Sequence, residues 1–451
     1  MSHPDFSAFT EYVKTLMKEQ HICGATVSVK QGDKTIYEGC FGQRDLESRA
    51  PVTPDTVFGL ASVSKSFAAL AIMQLCDDGK VYPDAPVTTY LPEFKIRGLP
   101  DMTRVRIHHL LSHSTGLPPL RRRQGEFSDF SQHLEYIATA EYELLGQPGE
   151  YFSYCNDSFA MLGAVVERVT GETFRDYIKK NIFEPLGMTR SGYTPVEVAK
   201  YGADITTLYS YNHELGKHQP ESWPNLGSYH VGGGIVASLR DLSTYASLFA
   251  QGGVVQGRKI ISDHALRRLR QPVVEALLPS HYCYGLQATF GHKGLTLVSH
   301  GGSLPGVSSH FGFVPEKRIS AVVLSNVNGV PAKAIWMAAV HSALGLPIAA
   351  EEVNMSAYVA PRAHLERFVG TYASLESGDL HIYFDQDTLI SEQRGVVVPL
   401  LARDDTHLVG RLHGQEMVLR FFFKADDSVW AVLAGSRMQR KVGEGKLCPL
   451  T

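Results

Sequence analysis

Ser62 and Lys65 stand three residues apart in the stretch Phe58-Gly-Leu-Ala-Ser-Val-Ser-Lys-Ser66, forming an S-x-x-K pattern. A serine hydroxyl is a weak nucleophile until a neighbouring base or cation activates it. The run that follows, Phe67-Ala-Ala-Leu-Ala-Ile-Met-Gln-Leu75, is rich in helix formers. The spacing predicts a mostly buried helix with Ser62 at its first turn and Lys65 one turn on, on the same face. That sets an ammonium beside a hydroxyl, at a helix end that itself carries partial positive charge. Serine and lysine also meet at this spacing by chance, so the pattern gains weight only from partners elsewhere.

Two partners follow in order. Tyr154 and Asn156 form Y-x-N on a turn ahead of a predicted helix over Phe159–Val169, and His300-Gly-Gly302 ends a predicted strand, Leu295–Ser299. A tyrosine titrates near pH ~10 in water and is a poor base alone. A lysine ammonium beside it favours the phenolate, and the two then titrate as one unit. A buried tyrosine next to an asparagine turn is the plain structural alternative. The chain lacks a G-x-S-x-G elbow, which speaks against an α/β-hydrolase.

Other patterns do not develop into sites. His109 and His113 have the i, i+4 spacing of a zinc pair, but the glutamate of H-E-x-x-H is missing, so His113 reads as a hydrogen-bonded structural residue. The Gly232-Gly-Gly234 cluster lacks both the Walker lysine and Rossmann spacing. Neither a metal nor a cofactor is expected.

The elements that must position these groups are legible as pattern. Residues 4–20 read as an amphipathic helix, and Ala25–Gln31 with Lys34–Phe41 as a hairpin around Gly32-Asp33. A short helix is expected over Val105–Ser112, a polar loop with Arg121-Arg-Arg123 over 119–135, and a helix over Phe174–Leu186. Then come an irregular loop over Tyr201–Tyr229, a helix over Arg240–Gln251, strands over His310–Val314 and Ile319–Ser325, and a helix over Ala332–Leu344. Residues 347–361 read as a linker. From Phe368 on, short strands dominate (Leu380–Phe384, Val396–Leu401, His407–Leu412, Glu416–Phe423, Val429–Ala434), separated by aspartate-rich turns. That texture predicts a small antiparallel barrel or sandwich.

The 451 residues are 44% hydrophobic and 20% charged, with a net charge of −3. Length suits two or three domains. Nothing in the charge balance points to nucleic acid or to an anionic membrane. No run is long enough to span a bilayer, and the polar N-terminus has no apolar signal-peptide core, so a cytoplasmic location is expected. The six cysteines (23, 40, 76, 155, 283, 448) lack C-x-x-C spacing and read as free thiols.

S-x-x-K at 62–65, Y-x-N at 154–156 and His300-Gly-Gly302 stand in order. They are flanked by Leu110-Leu-Ser-His-Ser-Thr-Gly-Leu-Pro118, Pro148-Gly149 and Gly233-Gly-Ile-Val-Ala-Ser238. Together they resemble the serine β-lactamase and penicillin-binding-protein superfamily. The nearest likeness is to its class C-like branch, which holds CubicO-type peptidases, D-aminopeptidases and related esterases. The resemblance covers about residues 8–345. It implies an α/β (α+β) fold: an antiparallel sheet flanked by helices, with an all-α subdomain. A C-terminal lipocalin-like β-domain would follow, giving units at 1–346, 347–361 and 362–451.

The resemblance also implies roles. Ser62 would be the acylated nucleophile, Lys65 a proton shuttle and Tyr154 the base. Asn156 would bind the substrate amide, with His300, Gly301 and Gly302 in the place of the family's K-T-G strand. The backbone N–H groups of Ser62 and Ser303 would form the oxyanion hole. Histidine at 300 departs from the family's lysine and is mostly neutral at pH 7, which weakens the case for an efficient β-lactamase.

The expected activity is hydrolysis of an amide or ester through an acyl-serine, most simply by a peptidase or amidase acting on small peptides. A carboxylesterase or weak β-lactamase on the same machinery, and a non-catalytic ligand-binding sensor, stand as alternatives. The partner is a small-molecule or short-peptide substrate, and a homo-oligomer is left open. Residues 362–451 are expected to limit substrate size rather than take part in chemistry.

Overall fold

Gly32, at φ +59°, turns the chain tightly between two antiparallel strands, Gly24–Gln31 and Lys34–Asp45. In this computed structural model, which describes residues 4–200, 202, 204–276, 279–348, 358–412 and 415–442, that hairpin enters a nine-stranded antiparallel sheet. The order across the sheet is Val274–Glu275, Ser280–Tyr282, Gln287–His292, Leu295–Leu304, Val307–Val314, Ile319–Ser325, Gly24–Gln31, Lys34–Asp45, Ala50–Pro51. Ala25 pairs with Ser325 and Gln31 with Ile319, so the start of the chain is zipped to a strand from far along it.

The central strands are buried on both faces, because side chains alternate between them. Ala321 and Val323 face one core, with Trp336 of the helix Ala332–Leu344 and Phe9 of the helix Ser7–Glu19. Val322 and Leu324 face the other, with Tyr245 of the helix Leu239–Ala250 and nearly the whole helix Ser64–Asp77. That last helix has no polar stripe, the pattern of an element enclosed on all sides.

A second nine-stranded antiparallel sheet runs Val396–Pro399, Thr388–Gln393, Leu380–Asp385, Gly370–Ala373, Arg437–Val442, Val429–Ala434, Gln415–Phe423, His407–Leu412, Leu401–Ala402. Its two edge strands are joined through Leu400, so it curls into a nearly closed, lipocalin-like barrel. Tyr372, Leu408, Phe421 and Val432 fill its interior. The opposite face of the strand Val429–Ala434 presents Ala431 and Leu433. With Met438 these pack into a cluster with Phe152, Tyr154 and Tyr282 of the first unit.

Two expected loops contain structure. Segment 119–135 gives way to a helix at Phe130–Thr139: Asp129 caps it by accepting from Gln132 N, and Leu134 and Ile137 turn inward. Segment 201–229 holds a hairpin, Leu208–Asn212 against Lys217–Glu221. The expected linker falls mostly on residues 349–357, outside the described residues, as does Cys448. The five cysteines within them are free thiols. Among the described residues no helix is long and apolar enough to cross a membrane.

The inter-unit cluster yields a test. Leu433 is almost fully buried, and Leu433→Asp puts an unpaired carboxylate there. The expected outcome is a loss of about 3 kcal/mol or more in chemical denaturation. An unchanged transition would mean that the barrel does not dock through this face.

Candidate active site

The chain reaches Ser62 through a sharp reversal. Ala61 sits at φ +46°, a left-handed conformation that costs a residue bearing Cβ roughly 1–3 kcal/mol. The surroundings hold the turn in place: Ser309 Oγ donates to Leu60 O at 2.7 Å, Ile235 N to Ser64 Oγ at 3.1 Å, and Tyr245 OH to Ser66 Oγ at 3.0 Å. Ser62 lies in the 3-10 turn Ala61–Val63, which runs directly into the helix Ser64–Asp77. Ser62 stays half-buried, whereas Lys65 is wholly enclosed.

Lys65 Nζ lies 3.4 Å from Ser62 Oγ, 2.8 Å from Asn156 Oδ1 and 3.0 Å from Gly232 O. It also sits 4.9 Å from the centre of the Tyr154 ring. Asn156 opens the helix Asn156–Thr170, rather than preceding it on a turn. The next residue, Asp157, anchors that helix end by accepting from Tyr229 OH at 2.8 Å and lying 2.8 Å from His133 Nε2.

Burial, helped by the positive charges of Arg122 and Arg437, holds Lys65 well below the usual lysine range. Burial also pushes the Tyr154 phenol up to about 12, although a hydrogen bond with Ser62 and the Arg437 charge pull the other way. Burial thus drives both groups toward their neutral forms. This is the opposite tendency to the phenolate expected from a lysine ammonium beside the ring.

The strand Leu295–Leu304 carries His300-Gly-Gly302 past the Ser62 turn. A Cβ on Gly302 would fall 2.2 Å from Leu60 O and 3.0 Å from Ser62 N, so only glycine allows this approach. Ser303 follows, exposed, in the same strand. His300 Nδ1 donates to Gly301 O at 2.7 Å, and Nε2 lies 2.9 Å from Tyr282 OH. Burial and the Lys65 charge bring the His300 imidazole down to about 3. It is a neutral group with both nitrogens engaged.

Arg122, from the marked Arg121-Arg-Arg123 loop, and two charged residues that the sequence did not mark, Glu376 and Arg437, also meet here. The strands Val429–Ala434 and Arg437–Val442 are joined by Gly435-Ser436, with Gly435 at φ +60°. This is the two-residue hairpin turn that favours glycine first. Its tip touches the site: Tyr154 N donates to Ser436 O at 2.8 Å, and Met438 N to Ser153 Oγ at 3.2 Å. The Arg437 guanidinium lies 4.8 Å from the centre of the Tyr154 ring. Glu376, buried in the loop between Gly370–Ala373 and Leu380–Asp385, accepts from Arg437 Nε at 3.1 Å, from Arg122 Nε, and from Asn156 Nδ2 at 3.3 Å. Residues 362–451, expected to limit substrate size, here bring Glu376 and Arg437 against Asn156 and the Tyr154 ring. The Gly-Ser turn ahead of Arg437 was the available signal; for Glu376 there was none.

Beside the Ser62 turn opens a cavity of about 300 Å³, lined by Gly59, Ala61, Trp223, Leu226, Leu304 and Val307. His113, the other half of the zinc-like pair, accepts from Cys155 N at 3.2 Å through Nδ1. Among the described residues no cluster of histidine, cysteine or carboxylate side chains could hold a metal ion.

The close approach at Gly302 gives a prediction. Gly302→Ala must push the strand away from Ser62, and shifts of about 1 Å cost on the order of 100-fold in rate. Steady-state turnover of a p-nitrophenyl ester checks it, and wild-type turnover would show that the strand tolerates displacement.

Comparison with known proteins now adds to this geometry. The family model described as Beta-lactamase matches residues 9–344. The protein flp of Staphylococcus aureus (strain COL) is 24% identical over 315 residues, a match spanning 69% of this chain but only 61% of flp. Penicillin-binding protein 4 of Amycolatopsis lactamdurans is 27% identical over 71% of this chain and 85% of its own. The structure of the octameric penicillin-binding protein homologue from Pyrococcus abyssi superposes with a TM-score of 0.72 at 27% identity. It covers 97% of this chain and all of that one, barrel included. An S-x-x-K turn, a Y-x-N helix start and a glycine-bearing strand thus converge within a fold shared from end to end, and the chain belongs to the beta-lactamase family of serine hydrolases.

Proposed function

We propose that this chain cleaves an amide or ester bond of a small substrate, most simply a short peptide, through an acyl intermediate on Ser62. The observation that carries the reading is the arrangement around Lys65. A neutral amine has two N–H donors and one lone pair. Asn156 Oδ1 and Gly232 O take the two donors, and the lone pair is left for the proton on Ser62 Oγ, 3.4 Å away. Lys65 removes that proton as the hydroxyl attacks the carbonyl carbon. Tyr154, a neutral phenol hydrogen-bonded to Ser62, passes a proton to the leaving group and recovers one from Lys65. Water then attacks the acyl-enzyme by the same route in reverse. The N–H groups of Ser62 and Ser303 stabilise the oxyanion, and losing one such donor typically costs about 3 kcal/mol. Asn156, Gly301 and Gly302 border the substrate.

What lines the cleft supports this reading of the substrate class. His300 offers no fixed positive charge on the strand, which favours peptidase or esterase chemistry over efficient β-lactam capture. The cavity beside Ala61, lined by Trp223, Leu226 and Val307 together with Arg175, Asn225 and His230, suits an acyl side chain that is apolar with a polar end. We read 1–346 as the hydrolytic unit, 347–361 as a connection and 362–451 as the barrel unit. Self-association is part of the reading, since the Pyrococcus homologue is described as octameric; light scattering checks it.

Fluorophosphonate should add its mass to Ser62, and labelling of Ser62→Ala at the same rate would falsify the nucleophile. Tyr154→Phe and Lys65→Ala should each lower kcat by roughly 10³-fold or more. The double variant should be little worse, because groups acting as one unit are not additive. A panel of short peptides, p-nitrophenyl esters and nitrocefin separates the peptidase reading from its rivals, and no turnover of any of them would favour a ligand-binding sensor.

A further inference from the structure

The contacts around Ser62 close into a ring. Lys65 reaches Ser62 and Asn156; Asn156 Nδ2 donates to Glu376; Glu376 accepts from Arg437; Arg437 covers the Tyr154 ring; and the Tyr154 phenol lies against Ser62. Two of these six side chains, Glu376 and Arg437, come from the barrel. We propose that Glu376 and Arg437 are positioning residues of the hydrolytic site: acting through Asn156 and the Tyr154 ring, they hold Lys65 and Tyr154 against Ser62. The barrel is then part of the catalytic unit and not an appendage to it.

Three observations carry this. The first is that the hairpin tip is fastened at the residue that matters, by the backbone bond from Tyr154 N to Ser436 O and the neighbouring bond from Met438 N to Ser153 Oγ. Tyr154 cannot shift without the hairpin shifting too. The second is that Glu376 is 8% exposed and takes three donors. A carboxylate so enclosed and saturated is a fixed anchor for the Asn156 amide. Its loop is itself tied down, with Arg394 Nη2 donating to Glu376 O at 2.9 Å and Ser377 N to Ser374 Oγ at 3.0 Å. The third is that Asn156 is left with one orientation. Its oxygen faces Lys65 because its nitrogen faces Glu376, and a flipped amide would put N–H groups against Lys65 and oxygen against a carboxylate.

The electrostatics agree with the geometry. Lys65 is faced by Ser62, Asn156, Gly232 O and the rings of Tyr154 and Phe159, and it senses Arg122, Arg437, Glu376 and Cys155. His113 and His300, both held neutral by burial, feel its charge in turn. Arg122 and Arg437 favour the neutral amine, and Glu376 opposes them. Burial works against the Arg437 charge, but Glu376 more than restores it. Burial would likewise raise the Glu376 carboxyl, yet the two arginines keep it below its ordinary value. The barrel therefore brings one charge of each sign near Lys65, with opposite effects.

This inference rests on Lys65 being the base for Ser62, and the opposed charges separate its failure from the failure of that reading. The experiment is the pH profile of kcat/KM on a p-nitrophenyl ester, with the rate of fluorophosphonate labelling as a second readout. Activity needs neutral Lys65, so it rises as pH climbs through the titration of the Lys65–Tyr154 unit. Arg437→Gln removes a charge that favours the neutral form and should move this acidic limb up by about one pH unit. Glu376→Gln removes the opposing charge and should move it down by a similar amount. The double variant should return the limb close to wild type, and Arg437→Lys, which keeps the charge, should leave it in place with reduced kcat. Circular dichroism establishes folding, and if one single variant does not fold, the double variant and Arg437→Lys still decide. Limbs that stay fixed, or that shift in the same direction in both single variants, overturn the proposal. Failure of wild-type Ser62 to label would instead remove the nucleophile assignment beneath it.

Discussion

A lysine ammonium sealed inside a protein is costly, and the site of this hydrolase is built around reducing that cost. Lys65 has no carboxylate in direct contact; its polar neighbours are a hydroxyl, an amide oxygen and a backbone carbonyl. Three neutral acceptors do not repay the loss of water around a full positive charge. The proton is therefore held loosely, and the two arginines nearby loosen it further. Enclosure on all sides biases that amine toward its neutral form.

Enclosure places demands on the rest of the fold. The helix Ser64–Asp77 must be buried along nearly its whole length, and it is. Ser62 must still meet solvent, so the chain breaks direction at Ala61 and accepts a left-handed residue there. Gly232 must bring its carbonyl to Lys65, and a Cβ at that position would fall 3.0 Å from Nζ. Gly302 lets a strand press against the same turn from the other side. Each small residue and each strained angle near the site follows from packing around a buried amine.

What was legible in the sequence is what is local. S-x-x-K lies within one turn, Y-x-N at one helix start and His300-Gly-Gly302 on one strand, so each leaves a compact trace. The alternation in Ile319–Ser325 and the aspartate-rich turns after Phe368 were equally local, and the strands they predict are present. Illegible were contacts made between distant segments. Arg122, Glu376 and Arg437 sit in loops or at a strand end, where a charged residue normally means solvent. Docking of the barrel through Leu433 and Met438 brings Glu376 and Arg437 against the site, where Glu376 meets the partly exposed Arg122. The helix Phe130–Thr139 was hidden for a related reason: only three of its side chains are buried, and its polar flank resembles the loop before it.

Where the resemblance leads one to expect a lysine on the strand this chain has His300, and the surroundings of that residue can be compared for the two side chains. A lysine at 300 would bring a second ammonium toward the cavity that holds Lys65, where it would meet Tyr282 OH and Gly301 O in place of the imidazole nitrogens. Two ammonium groups close together in low dielectric oppose each other's charge. In this protein Arg122 and Arg437 already supply positive charge, and Glu376 meets both of them. Positive charge at this cleft comes from Arg122 and from Arg437 of the barrel, where a carboxylate moderates it. A neutral histidine locked by two hydrogen bonds is then the group that leaves the strand polar and rigid without charging it.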